Sequence, residues 1–206
     1  VVVSSNNYGS AGRQAEQNQL NAATSFHESR STGGFAATGE TAYYTNAVYP
    51  TTFSAILSIS YYDTYPQGSP ARPSSVFGKV TIDDDLSQNI NTKNLPTASY
   101  VKNLENDSWT KSYSWYDEKS RMVGTHSVNH LGGYTKTESD LDFAGVPQTT
   151  KAYHKRLASD AEKLITQTFE YDSQNRLKKQ YHHIGGHPTP ELLSENMYNE
   201  LSQVSR

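Results

Sequence analysis

The heptapeptide YDSQNRL at residues 171–177 has a counterpart, YDEKSRM, at residues 116–122. Each reads Tyr-Asp, two polar residues, a turn-prone residue, Arg, and then a large apolar residue. In the same register LDFAGVP (141–147) keeps the Asp and carries Gly in the fifth place, and YNELSQV (198–204) keeps the Tyr with Asn for Asp. Tyr62-Asp63 opens the series, and the starts fall roughly 27 residues, or twice that, apart. Such self-similarity restricts the chain to a repeat architecture, in which each unit buries its faces against its neighbours.

The residues around each copy define the unit. In ITQTFEYD (165–172) one face takes Ile165, Gln167, Phe169 and Tyr171, and the other takes Thr166, Thr168, Glu170 and Asp172. That alternation is the period of a strand. Asp172 stands where its carboxylate can accept a backbone N–H two residues on and close a turn. Asn175 occupies the slot that calls for a left-handed backbone, which Asn tolerates. Arg176 and Leu177 start the return strand, RLKKQYHHI, which ends at GGHP. Each unit therefore reads as strand, Tyr-Asp turn, strand and a variable outer loop. The turn residues by this reading are Tyr62, Asp63, Tyr116, Asp117, Ser120, Arg121, Asp142, Gly145, Tyr171, Asp172, Asn175, Arg176, Tyr198 and Asn199.

Composition agrees with strands. Tyrosine occurs 15 times and methionine twice, and Tyr and Thr suit a pleated, half-buried surface. Outside the repeat, residues 10–30 hold Ala15, Leu20, Ala23 and Phe26 at loosely helical spacing, which predicts one short amphipathic helix packed on the sheet as a decoration. STGGFAATGE reads as a Gly-rich loop, FSAILSISYYD (53–63) as a strand, TYPQGSPARPSS (64–75) as an exposed loop or linker, and SVFGKVTI as a short strand. The fold expected is mainly β: a curved antiparallel sheet of repeated hairpins, roughly ten strands, with one N-terminal helix. Residues 1–50 read as a helix-containing lead-in or insertion and 51–206 as the hairpin array.

Other classes find little support. The net charge is −3 with Lys and Arg scattered, so no basic stripe points to nucleic acid. No apolar run approaches a membrane span. The absence of cysteine removes disulfide and thiolate-metal chemistry. The start, VVVSSNNYGS, has neither an initiator Met nor a secretory leader pattern, which suggests a piece of a longer polypeptide.

The pattern Tyr-Asp-x-x-Gly-Arg-Leu at this spacing resembles the signature of Rhs (YD) repeat proteins, over residues 53–206. The Gly position is Ser120, Asn175 and Ser202, with Gly145 as the one glycine, and the Arg is kept as Arg121 and Arg176. The family includes bacterial Rhs toxins, the C components of insecticidal Tc toxins and the extracellular barrel of teneurins. The resemblance implies a long antiparallel sheet wound into a hollow shell, enclosing a C-terminal effector in the toxins and serving adhesion in teneurins. Bacterial shells often end in a self-cleaving aspartyl protease segment with an Asp-Pro-x-Gly pattern, and this chain has no Asp-Pro dipeptide. The resemblance thus implies a non-catalytic stretch of wall from a secreted or surface protein. Its partners would be the remainder of the shell, an enclosed effector, or a glycan or cell-surface partner.

The residues that could carry chemistry have simpler readings. His182 and His183 point to opposite faces of a strand, so at most one could join His187, and no third metal ligand is specified. His126 and His130 would lie about 13 Å apart along a strand. Asp83, Asp84 and Asp85 lack the spacing of a calcium loop and read as a solvated turn. Asp117 and Asp172 could act as a glycosidase pair only within roughly 5 to 10 Å of each other, and both are accounted for by turns. No catalytic residue, metal ligand or cofactor site is expected. The alternative is a carbohydrate-binding or adhesion module whose aromatics, such as Tyr43, Tyr44, Trp109 and Trp115, are exposed to stack on a glycan. Exposure discriminates the two, because a wall needs those side chains packed.

Overall fold

The computed structural model describes residues 9–53 and 55–205. One helix, α1 (Ser10–Ala22), is followed by thirteen strands: β1 (Arg30–Ala37), β2 (Glu40–Tyr44), β3 (Ser58–Tyr62), β4 (Ser75–Val76), β5 (Lys79–Val80), β6 (Pro96–Lys102), β7 (Trp109–Tyr116), β8 (Met122–Val128), β9 (Gly132–Leu141), β10 (Pro147–Leu157), β11 (Lys163–Tyr171), β12 (Leu177–Ile184) and β13 (Glu191–Glu195). Nine of them form one antiparallel meander in the order β13-β12-β11-β10-β9-β8-β7-β6-β3, and the sheet is open at β3 and β13. The chain is therefore mainly β, as its alternation and its turn residues imply. The sheet has nine strands rather than about ten.

Three stretches differ from the sequence reading. STGGFAATGE is not a loop: it supplies most of the hairpin β1–β2. Gly34 sits at φ 58° beside a register shift between Arg30 and Phe35, and Gly39 at φ 81° closes the tight turn. Glycine there makes a bulge and a turn possible without ending the strands. SVFGKVTI is not one strand but a two-residue hairpin, β4–β5, turning at Phe77 and Gly78, both with positive φ. The strand expected over 53–63 is confined to β3, with Phe53 and Ile56 instead packed as loop residues against the core.

The helix also departs from expectation. α1 ends at Ala22, and among the described residues it makes no extensive contact with any strand. Its only buried residue is Gly12, while Leu20 is 43% exposed and Phe26, beyond its end, 72% exposed. Ala15, Leu20 and Ala23 are too few and too small to form a stripe worth burying. The helix is tied down by a hydrogen bond from the Tyr49 hydroxyl to Glu16 and by side-chain pairs along its own surface, such as Gln14 with Asn18 at 2.9 Å.

The core lies at the β3 end of the sheet. Tyr61, Tyr100 and Tyr113, one from each of three successive strands, meet edge to face at centroid separations of 5.1 and 6.0 Å. The β1–β2 hairpin lies on them. Tyr44 stacks on Tyr61 at 5.3 Å, Ala37 and Ala42 are buried in the cluster, and Trp109 Nε1 donates to the Thr38 carbonyl at 2.9 Å. The Arg30 guanidinium covers the Tyr61 and Tyr44 rings. Burial pushes the Tyr61 phenol up to about 12. A smaller cluster joins Val76 to Val123 and Leu141. Beyond Leu141 no described residue is fully buried, so β10 to β13 form a sheet half-exposed on both faces.

Candidate functional site: the row of Tyr-Asp turns

Four of the five copies, those at 116, 141, 171 and 198, fold into the same five-residue turn. In 117–121 the Asp117 N–H donates to the Arg121 carbonyl at 2.9 Å, and the Ser120 N–H to the Asp117 carbonyl at 2.8 Å. Asp117 Oδ1 accepts the N–H groups of Lys119 and Arg121 at 3.0 and 2.9 Å. Its other oxygen takes Arg121 Nε and Nη2 at 2.8 and 2.6 Å. In 172–176 the pattern recurs: Asp172 Oδ1 accepts from Gln174 and Arg176, and Oδ2 from Arg176 Nε at 2.6 Å. Asn199 caps the turn 199–203 in the same way, accepting from Leu201 and Gln203, and Asp142 caps 142–146 through the Val146 N–H at 2.9 Å. The fourth turn residue has a left-handed backbone throughout: Ser120 at φ 58°, Gly145 at 87°, Asn175 at 63° and Ser202 at 62°. Only glycine reaches that region without cost, and Asn tolerates it better than Ser.

The arginine has a role the sequence reading missed. It is not merely the first residue of the return strand but the fork-shaped donor that neutralises the turn's own carboxylate. Burial alone would raise the Asp117 carboxyl, but the Arg121 guanidinium and the backbone N–H groups of Arg121 and Lys119 outweigh it and hold the group below the usual carboxylate range. The Asp117 side chain is only 6% exposed, against 21% for Asp172.

The first turn of the series is interrupted. Asp63 N–H donates to the Leu95 carbonyl at 3.1 Å, Asn94 takes the left-handed slot at φ 65°, and Tyr62 pairs with Pro96 as Tyr116 pairs with Met122. Residues 64–93 are thus an insertion inside a Tyr-Asp turn, and TYPQGSPARPSS is not a linker but part of it. The insertion is pinned at both ends: Thr97 Oγ1 donates to the Thr64 carbonyl at 2.9 Å, and the buried Thr92 hydroxyl donates to the Asp63 carbonyl. It folds back over the turn row. Ile82 N–H donates to the Tyr116 carbonyl at 2.9 Å, Val76 enters the cluster with Val123 and Leu141, and Lys79 pairs with Asp140 at 2.8 Å. The sequence did carry a signal: Asn94-Leu95-Pro96 is the second half of the heptapeptide, displaced from Tyr62-Asp63 by the insertion.

Neighbouring turns are joined to one another, and each junction has its own link. Tyr116 Oη donates to the Pro96 carbonyl at 2.7 Å, joining the second turn to the strand that leaves the first. Tyr171 Oη reaches the Pro147 carbonyl at 2.7 Å and Tyr198 Oη the Leu177 carbonyl at 2.8 Å, each in the strand leaving the preceding turn. Leu141 stands in the tyrosine slot at the remaining junction and has no hydroxyl. There Arg121 Nη1 reaches forward to the Asp142 carbonyl at 2.7 Å. Arg176 does the same toward Ser202 Oγ at 2.9 Å, and its guanidinium covers the Tyr198 ring. On the opposite edge Asn129 builds the same turn over 129–133, with Gly132 in the left-handed slot, and reaches the Arg156 carbonyl through Nδ2 at 2.9 Å.

The remaining residues singled out in the sequence lie elsewhere. His182 and His183 fall on opposite faces of β12, and His183 Nε2 lies 2.8 Å from the His187 carbonyl oxygen. His126 is in β8 between the Trp115 and Tyr134 rings, whereas His130 lies in the turn after it. Asp83 pairs with Arg72 at 2.7 Å, and Asp85 caps Ser87. Among the described residues no three His, Asp or Glu side chains converge as metal ligands, and no helix is long and apolar enough to cross a membrane. Trp109 and Trp115 are buried, and Tyr43 and Tyr44 are half-buried and packed against the core. No family model, curated protein or solved structure matches the chain.

Proposed function

We propose that this chain is a non-catalytic section of a YD-repeat shell wall, carried by a larger secreted or surface-displayed bacterial protein, with a C-terminal effector as the enclosed cargo. The observation that carries this reading is the contrast between the two ends of the sheet. Strands β10 to β13 bury no side chain completely on either face, yet their turns are linked one to the next by Tyr171, Tyr198 and Arg176. A sheet of that kind is held in register by its edge and extends by adding units. The turn at 199–203 supports the same reading: Ser205 N–H donates to the Met197 carbonyl at 2.8 Å, the first rung of a return strand beside β13. Leu192, Leu193, Met197, Leu201 and Val204 are 49–78% exposed there, an apolar border suited to a following hairpin. The packing of Trp109, Trp115, Tyr43 and Tyr44 favours a wall over a glycan platform built on those rings.

The test is protease protection of the longer polypeptide. A shell predicts that the segment downstream of residue 206 survives a protease dose that cleaves the same segment expressed alone. Cleavage at equal rates would refute encapsulation.

A further inference from the structure

A cleft of about 460 Å³ lies between the β1–β2 hairpin, the 45–53 segment and β3. Its volume is that of a small-ligand site. The walls are Phe35, Tyr44, Phe53 and Ile59, with the Phe35 and Phe53 rings tilted at a centroid separation of 5.8 Å. One charged group lines it, Glu28, and the described lining residues include no Lys, Arg or His. The Glu28 carboxylate accepts the Val48 N–H at 2.6 Å, the Ala47 N–H on both oxygens at 2.9 and 3.1 Å, and the Thr45 hydroxyl. The donors are all neutral groups, so the negative charge itself has no cationic partner among them. None of the ion pairs among the described residues involves Glu28, and the nearby Arg30 is directed onto the Tyr44 and Tyr61 rings.

From this combination we infer that the cleft is a binding site for a small organic cation, an ammonium carried on an aromatic or aliphatic body. Ring faces attract a cation through their quadrupole, and a carboxylate on the same wall supplies the counter-charge. A neutral or anionic ligand of the same shape would gain the apolar contacts alone. The site is separate from the turn row and independent of the shell reading.

The measurement is an amide-shift titration of the intact chain by NMR with three probes of one shape: 2-phenylethylamine, 2-phenylethanol and 3-phenylpropionate. The amine should shift amides of residues 44–48 and 56–60 and bind about five- to tenfold tighter than the alcohol, with the carboxylate weakest. Raising the salt from about 0.05 to about 0.5 M should shrink the advantage of the amine and leave the alcohol unchanged. Glu28→Gln should bring amine and alcohol together. Because Glu28 also orders the 45–48 segment, Phe53→Leu is the second variant, expected to weaken the amine while keeping its preference over the carboxylate. Equal binding of the three probes, binding of none, or shifts mapping outside the cleft would overturn the assignment.

Discussion

Replacing Tyr116 by Phe removes one atom from the row of turns and isolates what the links between them contribute. The ring stays buried, since Tyr116 is 5% exposed, and only the 2.7 Å hydrogen bond to the Pro96 carbonyl is lost. Pro96 is exposed, so its carbonyl recovers water and the loss is that of an ordinary neutral hydrogen bond, about 1 kcal/mol. For a chain of this length that lowers the melting temperature by about 2–4 °C. Tyr62→Phe is the internal control. Tyr62 belongs to the first turn, is 50% exposed, and its hydroxyl makes no hydrogen bond among the described residues, so the change should stay within about 0.5 kcal/mol. Urea melts followed by circular dichroism measure both, with the midpoint shifting for Tyr116→Phe and the slope unchanged. If Tyr62→Phe costs as much as Tyr116→Phe, or Tyr116→Phe costs nothing, the links do not hold the sheet and the reasoning is wrong.

Three further outcomes follow from the same geometry. Ser120→Gly should be neutral or stabilising by up to about 1 kcal/mol, because it relieves the left-handed backbone at φ 58°, whereas Asn175→Val should destabilise by more than that; thermal melts with the two signs reversed would refute the turn register. Asp117→Asn turns an acceptor toward the Arg121 fork into a donor and should cost about 2–3 kcal/mol at neutral pH in a denaturant melt. The Asp117 carboxyl is held low in the folded state, so its contribution is complete above the ordinary Asp range near pH 4 and is lost as pH falls through the folded value; the variant's stability should therefore fall less steeply in acid below about pH 4. Treatment with a chelator should leave the melting temperature unchanged, since His182, His183 and His187 are placed as strand and turn residues; a drop restored by zinc would refute that.

The turns were legible in the sequence because their chemistry is local. Asp172, Asn175 and Arg176 lie within five consecutive residues, and a side chain that caps its own turn leaves its mark in the spacing. The alternation of β11 was legible for the same reason. What lay beyond the sequence was set by partners distant along the chain. Asn94 completes the turn begun by Asp63 across an insertion, so a search at fixed spacing passes over it. The β1–β2 hairpin reads as a glycine-rich loop because its stability comes from Tyr61, Tyr100 and Trp109, which cover it, and not from its own propensity. The tyrosine hydroxyls reach the carbonyls of Pro96, Pro147 and Leu177, and no pattern in the heptapeptide itself specifies those acceptors. The helix was placed by its composition, but composition did not say that its apolar residues would stay in solvent.

Whether β13 is an edge built to receive the next hairpin is the question on which the account turns, and hydrogen exchange measured by mass spectrometry answers it. Residues 191–205 should exchange quickly in the isolated chain, where β13 pairs only with β12, and slowly in a longer polypeptide from the same reading frame, while the β6–β7 amides stay protected in both. Equal and strong protection of residues 191–205 in the isolated, monomeric chain would mean that the edge is already closed, and would contradict the reading of this chain as a section of wall.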